Sequence, residues 1–122
     1  MRKFVISLLL AASCAPALAA DGASCSLTPA PRLKDYPWMS IARWHQFYDE
    51  DVAVADKGGV DLLFVGDSIT EMWNEQVFQR AFGGWRTANF GVGGDHTGNL
   101  LWRLQNGHAE KLRPKAVVLT IG

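Results

Sequence analysis

Three short strand-like segments constrain the fold of this chain more than any other feature of its sequence. They cover residues 60–65, 87–92 and 116–121, and the first two run directly into glycines. Each is too short for a helix, and together they predict buried strands. Stretches with helical spacing, which we place at 38–56, 70–82 and 97–112, precede and separate these segments. This alternation predicts crossover connections, and therefore an α/β fold with a parallel sheet covered on both faces.

The totals are those of a small globular domain. The chain has 122 residues, of which 48% are hydrophobic and 20% charged, so one domain at most is expected. Twelve Lys and Arg balance twelve Asp and Glu, which gives no basic surface and predicts no nucleic-acid partner. No apolar run reaches the roughly 20 residues that a membrane span needs, so no span is expected.

The first residues have the pattern of a secretory signal. Arg2 and Lys3 are followed by an apolar run over 4–12 and a small-x-small site at 17–19. This order predicts a signal peptide over 1–19 and an exported protein, periplasmic or secreted. The alternative interpretation of the segment is a buried helix.

Two cysteines, and three prolines within residues 20–37, mark the part of the chain before the predicted domain. Cys14 gives a second choice of export signal, that of a lipoprotein, whereas Cys25 alone can form no internal disulfide in the cleaved chain. The prolines and small residues predict an irregular lead-in over 20–37, and the folded domain is placed at 38–122.

A serine at the end of the first strand is the main candidate for chemistry. Ser68 follows the break at Gly66 and Asp67, where the strand gives way to helix-forming residues. Such a turn exposes the hydroxyl beside unpaired backbone N–H groups, which can hold the oxyanion formed when an acyl carbonyl is attacked. Gly94 follows the second strand, where its backbone can approach a substrate closely. Because ligands bind at the carboxyl ends of parallel strands, Ser68 and Gly94 are expected to face one crevice.

Other interpretations of the same residues remain open or fail in detail. Ser68 could merely cap the following helix, or the crevice could belong to a non-catalytic module that holds an anion at the helix N-terminus. A dinucleotide fingerprint beginning at Gly91 fails because its last position is His96. The G-x-S-x-G elbow fails because Thr70 replaces the second glycine.

Two sequence blocks resemble a known family. Residues 64–70, Phe-Val-Gly-Asp-Ser-Ile-Thr, resemble the first signature block of the SGNH, or GDSL, hydrolases. Residues 89–95, followed by Leu-Trp-Arg-Leu at 101–104, resemble the second. The second block is similar to that of the catalytic subunits of intracellular platelet-activating-factor acetylhydrolase and their bacterial relatives. The resemblance extends over 36–122.

The resemblance implies a flavodoxin-like three-layer sandwich, of which this chain contains the first three strands. It implies an ester hydrolase, a GDSL-type lipase or esterase, that forms an acyl-serine intermediate on small acyl esters such as acetyl esters of sugars or lipids. Ser68 would be the nucleophile and one oxyanion donor, Gly94 a second donor, and Asp67 the support of the turn. The third donor, an Asn, and the Asp-x-x-His pair are expected beyond Gly122, so the chain as given is expected to be an inactive N-terminal portion.

The remaining polar and aromatic candidates are expected to lie outside the site. His45 and His108 fall within helical patterns, and His96 begins a helix, where a positive imidazolium is disfavoured. The histidines and cysteines lack metal-ligand spacing, so neither a metal nor another cofactor is predicted. Trp73, Trp85 and Trp102 are interpreted as core residues. The expected partner is a small-molecule ester, and the sequence does not predict an oligomeric state.

Overall fold

A three-stranded parallel sheet forms the centre of the protein. The computed structural model describes residues 28–122. Its strands are β1 (Leu62–Gly66), β2 (Thr87–Gly91) and β3 (Ala116–Thr120), in the spatial order β2-β1-β3. Both neighbours run parallel to β1, with Gly66 opposite Gly91 on one side and Thr120 on the other. The predicted α/β class is confirmed, and the strand order is consistent with a flavodoxin-like layout.

Helices precede, connect and follow the first two strands. They are α1 (Ile41–Lys57), α2 (Ser68–Glu71), α3 (Glu75–Phe82) and α4 (Thr97–Asn106), and a 3₁₀ turn at Ala109–Lys111 leads into β3. The predicted helix over 97–112 therefore ends early, because Gly107 terminates α4. The predicted helix over 38–56 begins later than expected, because the Ser40 side chain accepts a hydrogen bond from the Arg43 N–H at 3.1 Å and caps α1.

The predicted helix over 70–82 is two helices with a break between them. Asn74 caps α3, since its side-chain oxygen accepts a hydrogen bond from the Val77 N–H at 3.1 Å. Trp73, in the break, packs against Phe64 and Phe78 at ring-centroid distances of 5.8 Å. The helix that begins at Ser68 is therefore only four residues long, and its dipole is correspondingly small.

Both faces of β1 are covered, as the sequence pattern predicts. On one face a core cluster joins the sheet to α1 and α4; its buried members are Ala55, Val60, Leu63, Val65, Ala88, Phe90, Leu100 and Leu112. Phe64 points to the other face and packs on Phe78 and Phe82 of α3 at ring-centroid distances of 5.0 Å. The alternation of side chains along a strand explains this division.

β3 has the apolar composition of a buried strand, but its side chains are exposed. It pairs with β1 along its whole length, but it lies at the edge of the sheet and its side chains are exposed. Val117 is 55% exposed and Leu119 61% exposed. Pairing of the backbone therefore does not bring burial of these side chains.

Several predictions concern residues outside the described part of the chain. The signal segment over 1–19, Cys14, Cys25 and residues 20–27 of the lead-in belong to this group. Within residues 28–122, no helix has the length and hydropathy that crossing a membrane requires.

Candidate functional site

The carboxylate of Asp67 holds the turn that follows β1. Its Oδ1 accepts a hydrogen bond from the Ile69 N–H at 2.9 Å, and its Oδ2 accepts one from the Gly122 N–H at 3.2 Å. Gly66 permits this close approach of the strand ends, because a Cβ there would lie 1.9 Å from the Thr120 carbonyl oxygen. Asp67 is buried, and each of its oxygens accepts a hydrogen bond from a backbone N–H, which suits it to hold the turn.

The hydroxyl and the backbone N–H of Ser68 have no hydrogen-bond partner among the residues that the structure describes. Ser68 is the first residue of α2 and is half-buried. The first amides of a helix have no carbonyl four residues earlier to bond, so the free N–H follows from the position of Ser68 in the turn.

Gly94 lies in the loop that follows β2 and also has a free backbone N–H. Its φ is +70°, which favours glycine, and its N–H donates no hydrogen bond to any residue that the structure describes. The loop is closed by a hydrogen bond from the Asp95 N–H to the Val92 carbonyl at 3.1 Å. Gly94 therefore resembles Ser68 in offering an unpaired donor at the carboxyl end of a strand.

Two contacts bring α2 and this loop together. The Gly93 N–H donates to Glu71 Oε2 at 2.5 Å, and Asn89 Nδ2 donates to the Thr70 carbonyl at 2.8 Å. At Gly91 a Cβ would lie 2.2 Å from the Glu71 backbone nitrogen, so the close packing of the two segments requires glycine there. The structure thus brings Ser68 and Gly94 together at the carboxyl end of the sheet.

A cavity of about 440 Å³ opens at this carboxyl end of the sheet. Its lining residues are Trp38, Met39, Ser68, Glu71, Met72, Gly93 and Gly94. The large side chains of this lining are apolar apart from the carboxylate of Glu71, and no basic side chain is among them. Such a cavity suits a neutral ligand with a small apolar group better than an anion.

Trp38 and Met39 line the cavity although the sequence pattern did not predict it. The helical spacing predicted that Trp38 begins a helix, whereas α1 begins only after the Ser40 cap. The two residues instead follow Pro37 in a short bridge between Tyr36 and Met39. The Trp38 ring stacks on Tyr36 at a centroid distance of 5.1 Å. If Ser40 is recognised as a helix cap, Trp38 and Met39 fall before the helix, where they are free to line a cavity.

The other three tryptophans considered lie away from the cavity. Trp85 is about half exposed, and Lys115 Nζ lies 5.2 Å from its ring centroid. Trp102 packs on Trp44 and Tyr48, and Trp73 joins the aromatic cluster on the other face of β1. None of them is among the residues that line the cavity.

None of the three histidines lines the cavity either. His108 Nδ1 lies 2.8 Å from Asp56 Oδ1, but this pair is partly exposed and lies where α1 ends and β1 is about to begin. Ser68 follows the far end of β1, a strand of five residues, which separates the two ends by about 16 Å. His96 is the exposed N-cap residue of α4, and the His45 ring packs against Trp44.

A buried ionic network lies beneath the loop that carries Gly94. Asp95 accepts hydrogen bonds from Arg32 Nη2 at 3.1 Å, from Trp44 Nε1 at 2.7 Å and from Arg103 Nε at 2.8 Å. Arg103 also donates to Asp51 Oδ2 at 2.5 Å. Asp95 and Arg103 belong to the second sequence block, and Arg32 belongs to the predicted irregular lead-in; their pairing was not predicted.

Asp51 titrates unusually because of its place at the end of this network. Burial raises the pKa of Asp51 to about 7, although the adjacent Arg103 guanidinium favours the ionised form. The Arg103 charge is shared with Asp95, whose own negative charge also disfavours a second carboxylate nearby. Loss of solvation therefore prevails over the ion pair.

Within the described residues, no group of three or more His, Cys, Asp or Glu side chains is arranged to hold a metal ion.

The sequence is similar to curated acetylhydrolase subunits. Platelet-activating factor acetylhydrolase IB subunit alpha1 of Rattus norvegicus is 36% identical over 96 residues, which are 75% of this chain and 41% of the relative. The same subunit of Homo sapiens is 36% identical over 96 residues, 75% of this chain and 42% of the relative. Subunit alpha2 of Gallus gallus is 36% identical over 81 residues, 66% of this chain and 35% of the relative. No family model matches the chain.

These relatives contradict the prediction of an exported or periplasmic protein. Platelet-activating factor acetylhydrolase IB subunits are intracellular, which points away from export and also from the second choice, a lipoprotein anchored through Cys14. The pattern of basic start, apolar run and small residues was therefore a wrong guide to location.

The matches with the acetylhydrolase subunits cover most of this chain, while the chain spans only about two fifths of their length. Their names describe hydrolases that remove acetyl groups. The similarity supports a relationship between this chain and the platelet-activating factor acetylhydrolase and GDSL-like hydrolases.

Proposed function

We propose that the full-length protein hydrolyses carboxylic esters of short acyl groups through an acyl-serine intermediate on Ser68. One observation carries this proposal. The free hydroxyl of Ser68 and the free N–H groups of Ser68 and Gly94 belong to residues that line the same cavity. A nucleophile beside two unpaired backbone donors is the arrangement that acyl transfer requires.

The proposed reaction has two stages and needs no cofactor. Ser68 Oγ attacks the ester carbonyl carbon, and the carbonyl electron pair moves to oxygen, where the two N–H groups hold the negative charge. Collapse of this intermediate breaks the bond to the alcohol oxygen, and the alcohol leaves with a proton. Water then attacks the acyl-serine in the same way, which releases the carboxylic acid and restores the hydroxyl.

The base that takes the Ser68 proton is not assigned to any described residue. None of the histidines lines the cavity, and both oxygens of Asp67 are engaged by backbone N–H groups. One carboxylate oxygen of Glu71 is engaged in the same way by Gly93. The proposal therefore concerns the nucleophile and its two donors.

The lining of the cavity supports a small, neutral acyl group. Trp38, Met39 and Met72 supply apolar surface, and the cavity volume of about 440 Å³ is modest. The names of the relatives describe hydrolysis of an acetyl group of platelet-activating factor. We therefore place acetyl esters of lipids or sugars first among the candidate substrates.

A non-catalytic module that holds an anion is the competing function. The cavity has no basic lining residue, and the carboxylate of Glu71 faces it, so a bound anion would meet repulsion without a counter-charge. The helix after Ser68 has four residues, and its dipole is correspondingly weak. Both observations favour the ester.

The test is a comparison of wild type and Ser68→Ala in the full-length protein on chromogenic acetyl and butyryl esters. We expect Ser68→Ala to lower kcat by roughly 10⁴-fold or more, since the other groups cannot replace a nucleophile. Ser40→Ala is the matched control, because it removes a hydroxyl that caps α1 and does not line the cavity. Equal rates for wild type and Ser68→Ala would show that the Ser68 hydroxyl is not the nucleophile, since Asp67 and not Ser68 caps α2. Inactivity of the wild type together with tight binding of acetate or phosphate would favour the anion module.

A further inference from the structure

The Gly93–Gly94 peptide bond has no side chain of its own to fix its orientation. Both residues lack a Cβ, and Gly94 already has a positive φ, so rotation of this peptide plane meets little steric resistance. In a trans peptide the carbonyl and the next N–H lie in one plane and point in opposite directions. The direction of the Gly93 carbonyl therefore determines where the Gly94 N–H points.

Arg32 holds that carbonyl from the interior. Its Nη2 donates a hydrogen bond to the Gly93 carbonyl oxygen at 2.7 Å. The Arg32 side chain is only 3% exposed, and its Nη1 donates a hydrogen bond to the Met39 sulfur at 3.0 Å. A hydrogen bond from a charged donor in such a buried place is stronger than an ordinary one between neutral groups.

Asp95 in turn holds Arg32. Its Oδ1 accepts from Arg32 Nη2 and from Trp44 Nε1, while its Oδ2 accepts from Arg103 Nε. Asp95 follows Gly94 directly, so the charge that fixes Arg32 belongs to the same loop. The guanidinium is thus positioned by a side chain that is itself held by two further donors.

We infer that Arg32 is a positioning residue of the proposed esterase site: it fixes the Gly93–Gly94 peptide so that the Gly94 N–H faces the cavity beside Ser68. The inference rests on the proposed function for its catalytic consequence, but the contact it describes does not depend on catalysis. Arg32 acts through the peptide and does not itself line the cavity.

The consequence of losing Arg32 is specific to the transition state. An oxyanion donor acts on charge that develops only during the reaction, so its loss lowers kcat and leaves substrate binding nearly unchanged. Removal of one such donor lowers kcat by roughly 10²- to 10³-fold. A general loss of packing would instead lower the folded fraction of the protein, and it would not lower kcat selectively while KM stays unchanged.

The experiment compares Arg32→Met, Arg32→Lys and Arg86→Lys in the full-length protein. Arg32→Met should lower kcat by about 10²-fold, the loss expected for one oxyanion donor, with KM within about threefold of wild type. Arg32→Lys should recover part of this loss, because an ammonium group can still donate to the carbonyl. Arg86→Lys alters a partly exposed ion pair with Asp61 ahead of β1, at the opposite end of the sheet, and should leave both constants unchanged. A folded Arg32→Met protein with unchanged kcat, or with a raised KM and unchanged kcat, would overturn the inference.

A second measurement separates this inference from the proposed function. With ¹⁵N-labelled glycine, the amide signals of Gly93 and Gly94 should shift or broaden in Arg32→Lys, whereas those of Gly58 and Gly59, at the other end of the sheet, should not. Unchanged Gly93 and Gly94 signals would refute the positioning role even if Arg32→Met does not fold. If Ser68→Ala leaves hydrolysis intact while these signals still move, the esterase proposal fails and the contact between Arg32 and the loop remains supported.

Discussion

Substitution of Gly94 by alanine tests how closely the loop approaches the wall of the cavity. A Cβ at this position would lie 2.5 Å from Cη2 of Trp38 and 3.1 Å from Cε2 of Tyr36. The positive φ of +70° adds strain of its own, about 1–2 kcal/mol for a residue other than glycine. Trp38 is 61% exposed, so its ring can move outward rather than force the backbone apart.

The magnitude follows from what that movement breaks. If the Trp38 ring leaves its stack on Tyr36, an aromatic contact of roughly 0.5–1.5 kcal/mol is lost. We therefore expect Gly94→Ala to lower the free energy of unfolding by about 2–3 kcal/mol in the wild-type background. In a Trp38→Ala background the aromatic part is already absent, and only the strain of about 1–2 kcal/mol should remain.

Urea unfolding of four full-length proteins measures this difference: wild type, Gly94→Ala, Trp38→Ala and the double variant. The coupling energy between the two positions should be near 1 kcal/mol, within the range found for residues in contact. An equal cost of Gly94→Ala in both backgrounds would refute the reasoning, since the loop would then not meet Trp38.

Two further predictions concern stability and pH. Burial raises the pKa of Asp51 to about 7. The folded state therefore keeps a proton that the unfolded state releases near pH 4. The stability that this proton provides is complete below about pH 4 and is lost as pH rises through about 7. Urea unfolding between pH 5 and 8 should show a decline of up to about 1.4 kcal/mol per pH unit that Asp51→Asn removes; an identical pH profile in the variant would contradict the assignment. Hydrogen bonds from Arg86, followed by one from Lys115, hold the pKa of Asp61 well below its usual range, so its contribution is present above the unfolded-state pKa and is lost as pH falls through the lower folded-state pKa. Acid unfolding between pH 5 and 2 should accordingly be less steep in Asp61→Asn, and an unchanged slope would show that Asp61 is not coupled to folding.

The strands were predictable because their signal is local. Leu63, Phe64 and Val65 form a run that is apolar at successive positions, as a strand buried on both faces requires. The glycine at the end of β1 marked the turn, and the structure ends the strand there. The apolar composition of β3 predicts a strand but does not determine its burial, because burial depends on what packs against a strand and not only on its own sequence.

Helix boundaries failed where a polar side chain competes with the hydrophobic period. Ser40 and Asn74 each accept a hydrogen bond from a backbone N–H three residues later, and each starts a helix within a stretch that periodicity had treated as continuous. Both residue types are common helix caps. A search for caps inside the periodic segments would have found both breaks.

The proximity of Ser68 and Gly94 was predictable because both positions follow from the order of strands along the chain. Ser68 and Gly94 each follow a strand, and the parallel sheet brings strand ends together. Arg32 and Trp38 come from the segment before α1, which has no periodic pattern to say where it returns to the domain. Arg32 lies 61 residues from the Gly93 carbonyl that it binds, and no local rule relates such distant positions.

The origin of Trp38 and Arg32 also bears on how a site of this type can change over evolution. Both residues belong to a segment that adds no strand to the sheet and contributes nothing to its main core cluster. Substitutions at Trp38 can therefore reshape one wall of the cavity with little cost to the sheet, whereas Arg32 is tied into a buried ionic network and tolerates little change. Under the proposed function, selection on the accepted acyl group would act at Trp38, and selection on the orientation of the Gly94 N–H would act at Arg32. These two positions lie in one segment, but only Trp38 would tolerate mutation readily.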